Sequence, residues 1–226
     1  MYDVHVERSA GYSGIAFIVL LLIGVFLPGI GPTPDAPASA IGAYLDAHHT
    51  TWLLSAWLSF PESAFFLWFV VQLRAYLRLA PQVDDGLGTY MLVGGIAATG
   101  IALTTAIAQI VLGFRPSTDY GLPTIRVLYD IFNAAATFIL VPATFMIVAA
   151  SQSGRRHDSL PRGLVIFGYV AAIGTSISSL SVFFASGFMA MGGLGTLAFG
   201  LLPFAIWVIW SSIVLIRTPR GAEKAA

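Results

Sequence analysis

The sequence predicts an all-α protein: a polytopic membrane helix bundle with six transmembrane helices, both termini cytoplasmic, and a short amphipathic helix in the first outer loop. Three observations carry that prediction. First, the 226 residues are 57% hydrophobic and only 10% charged, with a mean hydropathy of +0.84. Soluble domains carry about 25% charged residues, so this chain has too few charges to coat a water-facing surface. Second, six segments reach the roughly 20 apolar residues that a helix needs to cross about 30 Å of hydrocarbon. Third, lysine and arginine alternate in density from one connection to the next.

The apolar segments run over residues 11–28, 51–72, 87–114, 123–150, 163–185 and 194–216. The connections between them are too short to hold a soluble domain, so residues 1–226 form a single transmembrane domain. The triplet Ala38-Ser39-Ala40 has the small-x-small form of a signal-peptide cleavage site. It lies more than ten residues past the first apolar run, and Glu7 accompanies Arg8 before that run. The first segment is therefore expected to stay as a helix.

Orientation follows from the basic residues. Arg8, Arg74, Arg78, Arg155, Arg156, Arg162, Arg217, Arg220 and Lys224 fall on one side of the alternating threading. Only Arg115 and Arg126 fall on the other. The basic side should be cytoplasmic, and both termini with it. An aromatic belt agrees: Trp52 and Tyr120 fall at the outer interface, and Tyr12, Trp68, Tyr76, Tyr90, Tyr169 and Trp210 toward the inner one.

The first outer connection has its own pattern. Asp35 is a candidate cap, Pro37 suits a first helical turn, and Ile41, Tyr44, Leu45 and His48 share one helical face. These predict a short amphipathic helix on the outer surface, over the mouth of the bundle. In the third segment Gly94, Ala98 and Ala102, and again Gly95 and Thr99, recur at spacing four. Small residues let helices approach closely, which suits packing inside the bundle; a homo-oligomer stays open.

Polar residues inside the spans carry the functional argument. At about 1.5 Å per residue, Glu62 lies about 16 Å deep, near the midplane. Ser55, Ser59, Phe66 and Phe69 continue its face. Pro61 cannot donate a backbone hydrogen bond and leaves the carbonyl of Trp57 without its usual partner. In the fourth segment Arg126, Asp130, Asn133 and Thr137 form one face, with Asp130 about 10 Å and Asn133 about 15 Å deep. Arg126 and Asp130 can pair along the helix. Gln109, with Thr104 and Thr105, lies in the outer half of the third segment. Thr175, Ser176, Ser178, Ser179 and Ser181 occupy the fifth. These faces are expected to converge into a cavity open to the outer side, with little polarity in the inner half. A charge at midspan is costly, so Glu62 either pairs or is protonated. It is the expected centre of a ligand-binding site formed with Ser59, Gln109, Arg126, Asp130, Asn133, Thr175 and Ser179.

Other chemistry finds no support in the residues. The chain has no cysteine and its net charge is zero, which argues against thiolate chemistry and against a nucleic-acid partner. His48 and His49 beside Asp46 point in different directions on a helix and lack a further ligand pair, so no metal site is expected. No Walker loop, dinucleotide fingerprint, paired haem histidines or serine elbow occurs, and no cofactor is expected.

The stretch from Glu7 to Arg78 has a first helix, then Pro34-Asp35-Ala36, then Ile41-x-x-Tyr44-Leu45-x-x-His48, then a helix ending FLWFVVQLRAYLR. In this it resembles uncharacterised small multi-pass inner-membrane proteins of actinobacterial type; the remainder is similar in layout. The resemblance implies a bacterial inner-membrane setting and no particular chemistry. The sequence thus predicts an inner-membrane protein, with the lipid bilayer as its partner, whose outward-facing polar pocket binds a small or lipid-like molecule. Two alternatives remain: an intramembrane acid–base enzyme using Glu62 and Asp130 on an apolar substrate, and a non-catalytic assembly or packing subunit.

Overall fold

The computed structural model describes residues 4–78 and 85–217. Among these the chain is helical, with no strand. Helix α1 spans Val4–Phe26, α2 Ala38–Ala47, α3 His49–Arg78, α4 Asp85–Phe114 and α5 Ser117–Tyr120. Helix α6 spans Leu122–Phe138, α7 Leu140–Arg156 and α8 Arg162–Ser179, followed by a 3-10 turn over Leu180–Phe183. Helix α9 (Leu194–Thr196), a wide π turn (Leu197–Leu201) and α10 (Leu202–Arg217) complete the fold. Six stretches are long and apolar enough to cross a membrane, so this is a multi-pass membrane protein. Arg220 and Lys224 lie outside the described residues.

Helices α1 and α3 overrun the apolar segments that announce them. Hydropathy finds only the stretch that hydrocarbon requires, whereas the backbone stays helical into the polar interface. The fourth span is broken at Ile139, between α6 and α7. Pro142 explains the break, because it cannot donate to the carbonyl of Phe138. In the sixth span Pro203 likewise cannot donate to the carbonyl of Phe199, and the chain widens into the π turn just before it. The freed Phe199 carbonyl is pressed against α8 at Gly174, where an added Cβ would stand 2.5 Å from that oxygen. The carbonyl of Thr196 accepts a hydrogen bond from Ser178 Oγ at 3.2 Å.

The spans close into a ring. α1 packs on α3, α3 on α4, α4 on α6 and α7, α7 on α8, α8 on α10, and α10 back on α1. Close approach depends on glycines. An added Cβ at Gly94 would meet the Pro142 carbonyl oxygen at 2.8 Å, and one at Gly95 would meet Val70 at 2.7 Å. The small stripe of α4 thus serves packing inside the bundle on two faces at once.

Two separate cores result. The larger fills the half that carries Arg74, Arg155, Arg156, Arg162 and Arg217. It is built on Phe17, Phe66, Phe69, Met146, Ile147, Leu164, Trp207 and Leu215. Phe17 lies 4.6 Å from Phe66 and 6.0 Å from Phe204, ring centre to ring centre. The smaller lies at the arginine-poor end, where Ile41 and Leu45 of α2 pack with Trp52, Leu112, Ile125 and Tyr129. Outside the ring, residues such as Val93, Ile107, Ile166 and Ile173 are exposed along the spans, as a lipid solvent requires.

Two expectations are corrected. Trp52 and Tyr76 are not belt residues: both are buried in the bundle, while Tyr12, Trp68, Tyr90 and Trp210 are exposed. The basic half is also not free of polarity, for Ser151, Ser153, Ser211 and Ser212 are fully buried there. Their small side chains sit at helix seams. Ser151 Oγ rests where a Cβ on Gly168 would be, with Trp207 Nε1 beside it at 2.9 Å.

That seam gives a test. Gly168→Ala forces Ser151 and Trp207 apart and should lower stability by about 1–3 kcal/mol, as overpacking does. Gly100→Ala meets nothing within 4 Å and should leave stability unchanged or raise it by up to about 1 kcal/mol. Unfolding of both variants in mixed micelles measures the contrast.

Candidate functional site

The gap between the two cores is hollow. Glu62 reaches it because Ser55, Glu62, Phe66 and Phe69 recur at helical spacing on the inward face of α3. Ser55, Phe66 and Phe69 are buried on that face, so packing fixes the rotation of α3 and turns Glu62 inward. The helix runs unbroken through Pro61.

Two chambers meet at this point. The one toward the arginine-poor end has a volume of about 300 Å³ and is lined by Trp52, Ser59, Gln109, Tyr129, Asn133 and the backbone stretch Pro28 to Pro32. The other has a volume of about 260 Å³ and reaches toward the larger core, lined by Phe17, Phe66, Thr99, Thr137, Ala143 and Phe204. Glu62, Ala102, Ala136, Gly192 and Leu197 line both, so the carboxyl stands at the waist. From Trp52 to Phe66 the lining of α3 extends over 15 residues, a rise of about 21 Å along the helix. Among the described residues no other acid, and no lysine, arginine or histidine, lines either chamber.

The carboxyl of Glu62 has no hydrogen-bond or ion-pair partner among the described residues, yet it is not sealed from the cavity. Its neighbours each commit a donor to the protein. Gln109 Nε2 donates to the Trp52 carbonyl at 3.1 Å, and Trp52 Nε1 donates back to the Gln109 carbonyl at 2.8 Å. Asn133 Nδ2 donates to the Tyr129 carbonyl at 2.9 Å. Ser55 Oγ donates to the Gly24 carbonyl at 2.6 Å. Each amide keeps its oxygen and its second N–H for the cavity, beside the hydroxyls of Ser59 and Ser63.

A backbone strap crosses the chamber at the arginine-poor end. Tyr44 Oη donates to the Pro28 carbonyl at 3.1 Å, and Tyr129 Oη donates to the Pro32 carbonyl at 2.7 Å. Burial pushes the Tyr44 phenol above its ordinary pKa, so it stays a neutral donor across the physiological range. Gly29 turns the strap at φ +77°, a conformation open to glycine. Arg126 Nη1 fixes its far end on the Ala36 carbonyl at 2.7 Å. Beyond it, Asp46 accepts from Ser117 N at 2.9 Å and Ser117 Oγ at 2.6 Å. Those bonds hold the Asp46 carboxyl below its usual range. The link is therefore complete above the ordinary carboxylate pKa of about 4 and is lost as pH falls through the lower folded value.

Half of the residues expected at the site converge there: Glu62, Ser59, Gln109 and Asn133. Arg126 and Asp130 line neither chamber. They pair along α6 at 3.4 Å, with side chains 37% and 47% exposed. The first turns of α6 meet α2 and the strap, and Tyr129, Asn133 and Thr137 are the members of this side that reach the hollow. Thr175 and Ser179 also lie elsewhere. Thr175 Oγ1 is 2.6 Å from Thr144 Oγ1 across the α7–α8 seam, and Ser179 Oγ bonds back to the Ser176 carbonyl at 2.7 Å. The first and sixth spans supply the wall that the fifth was expected to give, through Phe17, Leu21, Leu197 and Phe204.

Several lining residues go unmarked in the sequence reading. Thr137 is visible as the inner end of the Asn133 face. Trp52 and Tyr129 read from sequence as interfacial or unremarkable, and nothing local distinguishes them. No protein-family model, curated protein or solved structure matches the chain.

Proposed function

We propose that this protein resides in a bacterial inner membrane with both termini cytoplasmic, and that its cavity, facing outward beneath the strap, binds a small or lipid-like molecule with Glu62 as the central polar contact. The observation that carries the reading is an unpartnered carboxyl at the waist of a two-chambered hollow. An acidic side chain at midspan costs about 2.5–3.5 kcal/mol on insertion scales, and nothing in the fold offsets it. A purely structural glutamate would tie helices together, and this one bonds to none of them. A bound molecule supplies the missing partner.

Paired-acid catalysis draws no support from the geometry, because Asp130 stands outside the cavity beside Arg126. The wall nearest Val25 and Leu197 favours apolar ligands. Along this wall α1 barely touches the segment 194–201, although it packs closely on α10.

Two measurements test the reading. Glu62→Gln should fold with stability within about 1 kcal/mol of the parent, yet lose the molecule that the parent retains in native mass spectrometry from gentle detergent. A loss of several kcal/mol would assign Glu62 to packing instead. For orientation, the chain contains no cysteine, so single cysteines report cleanly. Ile30→Cys should react with an impermeant maleimide applied outside intact cells, and Arg155→Cys only after the membrane is opened; the reverse pattern overturns the assignment.

A further inference from the structure

We infer that the ligand is a small amphiphilic amine: a primary alkylammonium whose head sits at Glu62 and Asn133 and whose apolar body fills the chamber toward Phe17, Phe66 and Phe204. The inference rests on the binding role proposed above and adds the chemical class.

Hydrogen-bond polarity is the first argument. The amide nitrogens of Gln109 and Asn133 must be the atoms facing the Trp52 and Tyr129 carbonyls, since a carbonyl only accepts. Their oxygens are therefore left over. Neither Oδ1 of Asn133 nor Oε1 of Gln109 has a protein partner, and neither is sealed from the cavity. Asn133 Oδ1 points to the waist, where an added Cβ on Gly192 would stand 3.2 Å from it. With the two oxygens of the Glu62 carboxyl they make four acceptor oxygens in the lining, against the second N–H of each amide and the hydroxyls of Ser59 and Ser63. An ammonium brings three donors to this acceptor-rich set.

Charge is the second argument. Among the described residues, one acid and no base line the two chambers. A monocation balances the ionised acid. A carboxylate or phosphate would meet no counter-charge, and an alcohol would leave the acid protonated, with a hydrogen bond to the ligand but no ion pair. Aromatic faces add to the same sign: Trp52 lies 5.1 Å from Phe132 and 6.5 Å from Tyr129, ring centre to ring centre, along the chamber at the arginine-poor end. Such rings attract cations.

Shape is the third. Beyond the waist the lining is mostly apolar, with Ser63, Thr99, Thr137 and Thr196 as its hydroxyls. Thr99 Oγ1 is already bonded to the Gly95 carbonyl at 2.9 Å. This part of the hollow suits a short hydrocarbon body.

The test uses the full-length protein in phosphatidylcholine nanodiscs at neutral pH, titrated with n-hexylamine, n-hexanol and n-hexanoate. The amine should bind saturably and at least about tenfold more tightly than the alcohol, a difference of about 1.4 kcal/mol, with hexanoate undetected. Glu62→Gln should lower amine affinity about tenfold or more and leave the alcohol within about twofold. Asn133→Ala should lower amine affinity in the same direction and serves if Glu62→Gln folds poorly. Exchanging phosphatidylethanolamine for phosphatidylcholine should not compete, since the cavity holds no cation for a phosphate. Competition there would keep the ammonium chemistry and overturn the small free amine as its source. Equal binding of amine and alcohol, or amine affinity unchanged in both variants, overturns the inference. Ala102→Trp, which fills the waist, then separates the two levels. If it abolishes hexanol binding, the cavity reading stands and only the amine falls. If it alters binding of no probe, the cavity reading falls as well.

Discussion

A carboxyl group without a protein partner, held at the middle of a lipid-embedded ring, is the constraint on which the rest of this structure turns. Hydrocarbon offers an acid nothing, and six apolar helices left to themselves would close on one another. Both tendencies are resisted here. Phe66 and Phe69 anchor the face of α3 in the larger core, and that anchoring commits Glu62, on the same face, to the interior rather than to acyl chains.

The hollow that receives it exists because two walls are not straight. Pro142 and Pro203 each remove one backbone donor, and the chain answers with the break at Ile139 and the π turn over Leu197–Leu201. Ile139 and Leu197 both line the two chambers, so the irregular backbone stands where the cavity is. Such backbone is tolerated at membrane depth where it borders a cavity or is buried in protein. The Phe199 carbonyl that Pro203 frees is not left in lipid: it lies on Gly174, and the nearby Thr196 carbonyl takes the Ser178 hydroxyl. Tight seams at Gly94, Gly95, Gly168 and Gly174 hold the ring rigid around the part that is hollow.

The threading was legible because it depends on length and apolarity, which lipid dictates residue by residue. The short helix after the first span was legible from Ile41, Tyr44 and Leu45 at helical spacing. Glu62, Ser59, Gln109 and Asn133 were legible as polar groups at depth. Helix rotation was not. Thr175 and Thr137 are equivalent from sequence, but Thr175 turns into a seam with Thr144 and Thr137 lines the hollow. Trp52 occupies a belt position along the chain and is nevertheless drawn inward by its reciprocal bonds with Gln109. Arg126 and Asp130 share a helical face with Asn133, but the chain that folds back over α6 claims them first. Seams and straps of this kind are set by contacts between distant segments, which periodicity within one helix does not encode.

The Glu62 carboxyl borders an accessible void rather than a packed interior. Modification by an apolar carbodiimide, located by peptide mass mapping, tests this. Glu62 should be modified in the intact folded protein, and Ala102→Trp, which occupies the waist, should protect it. An unmodified Glu62, or one modified equally whether or not the waist is filled, would mean that the carboxyl borders no such void.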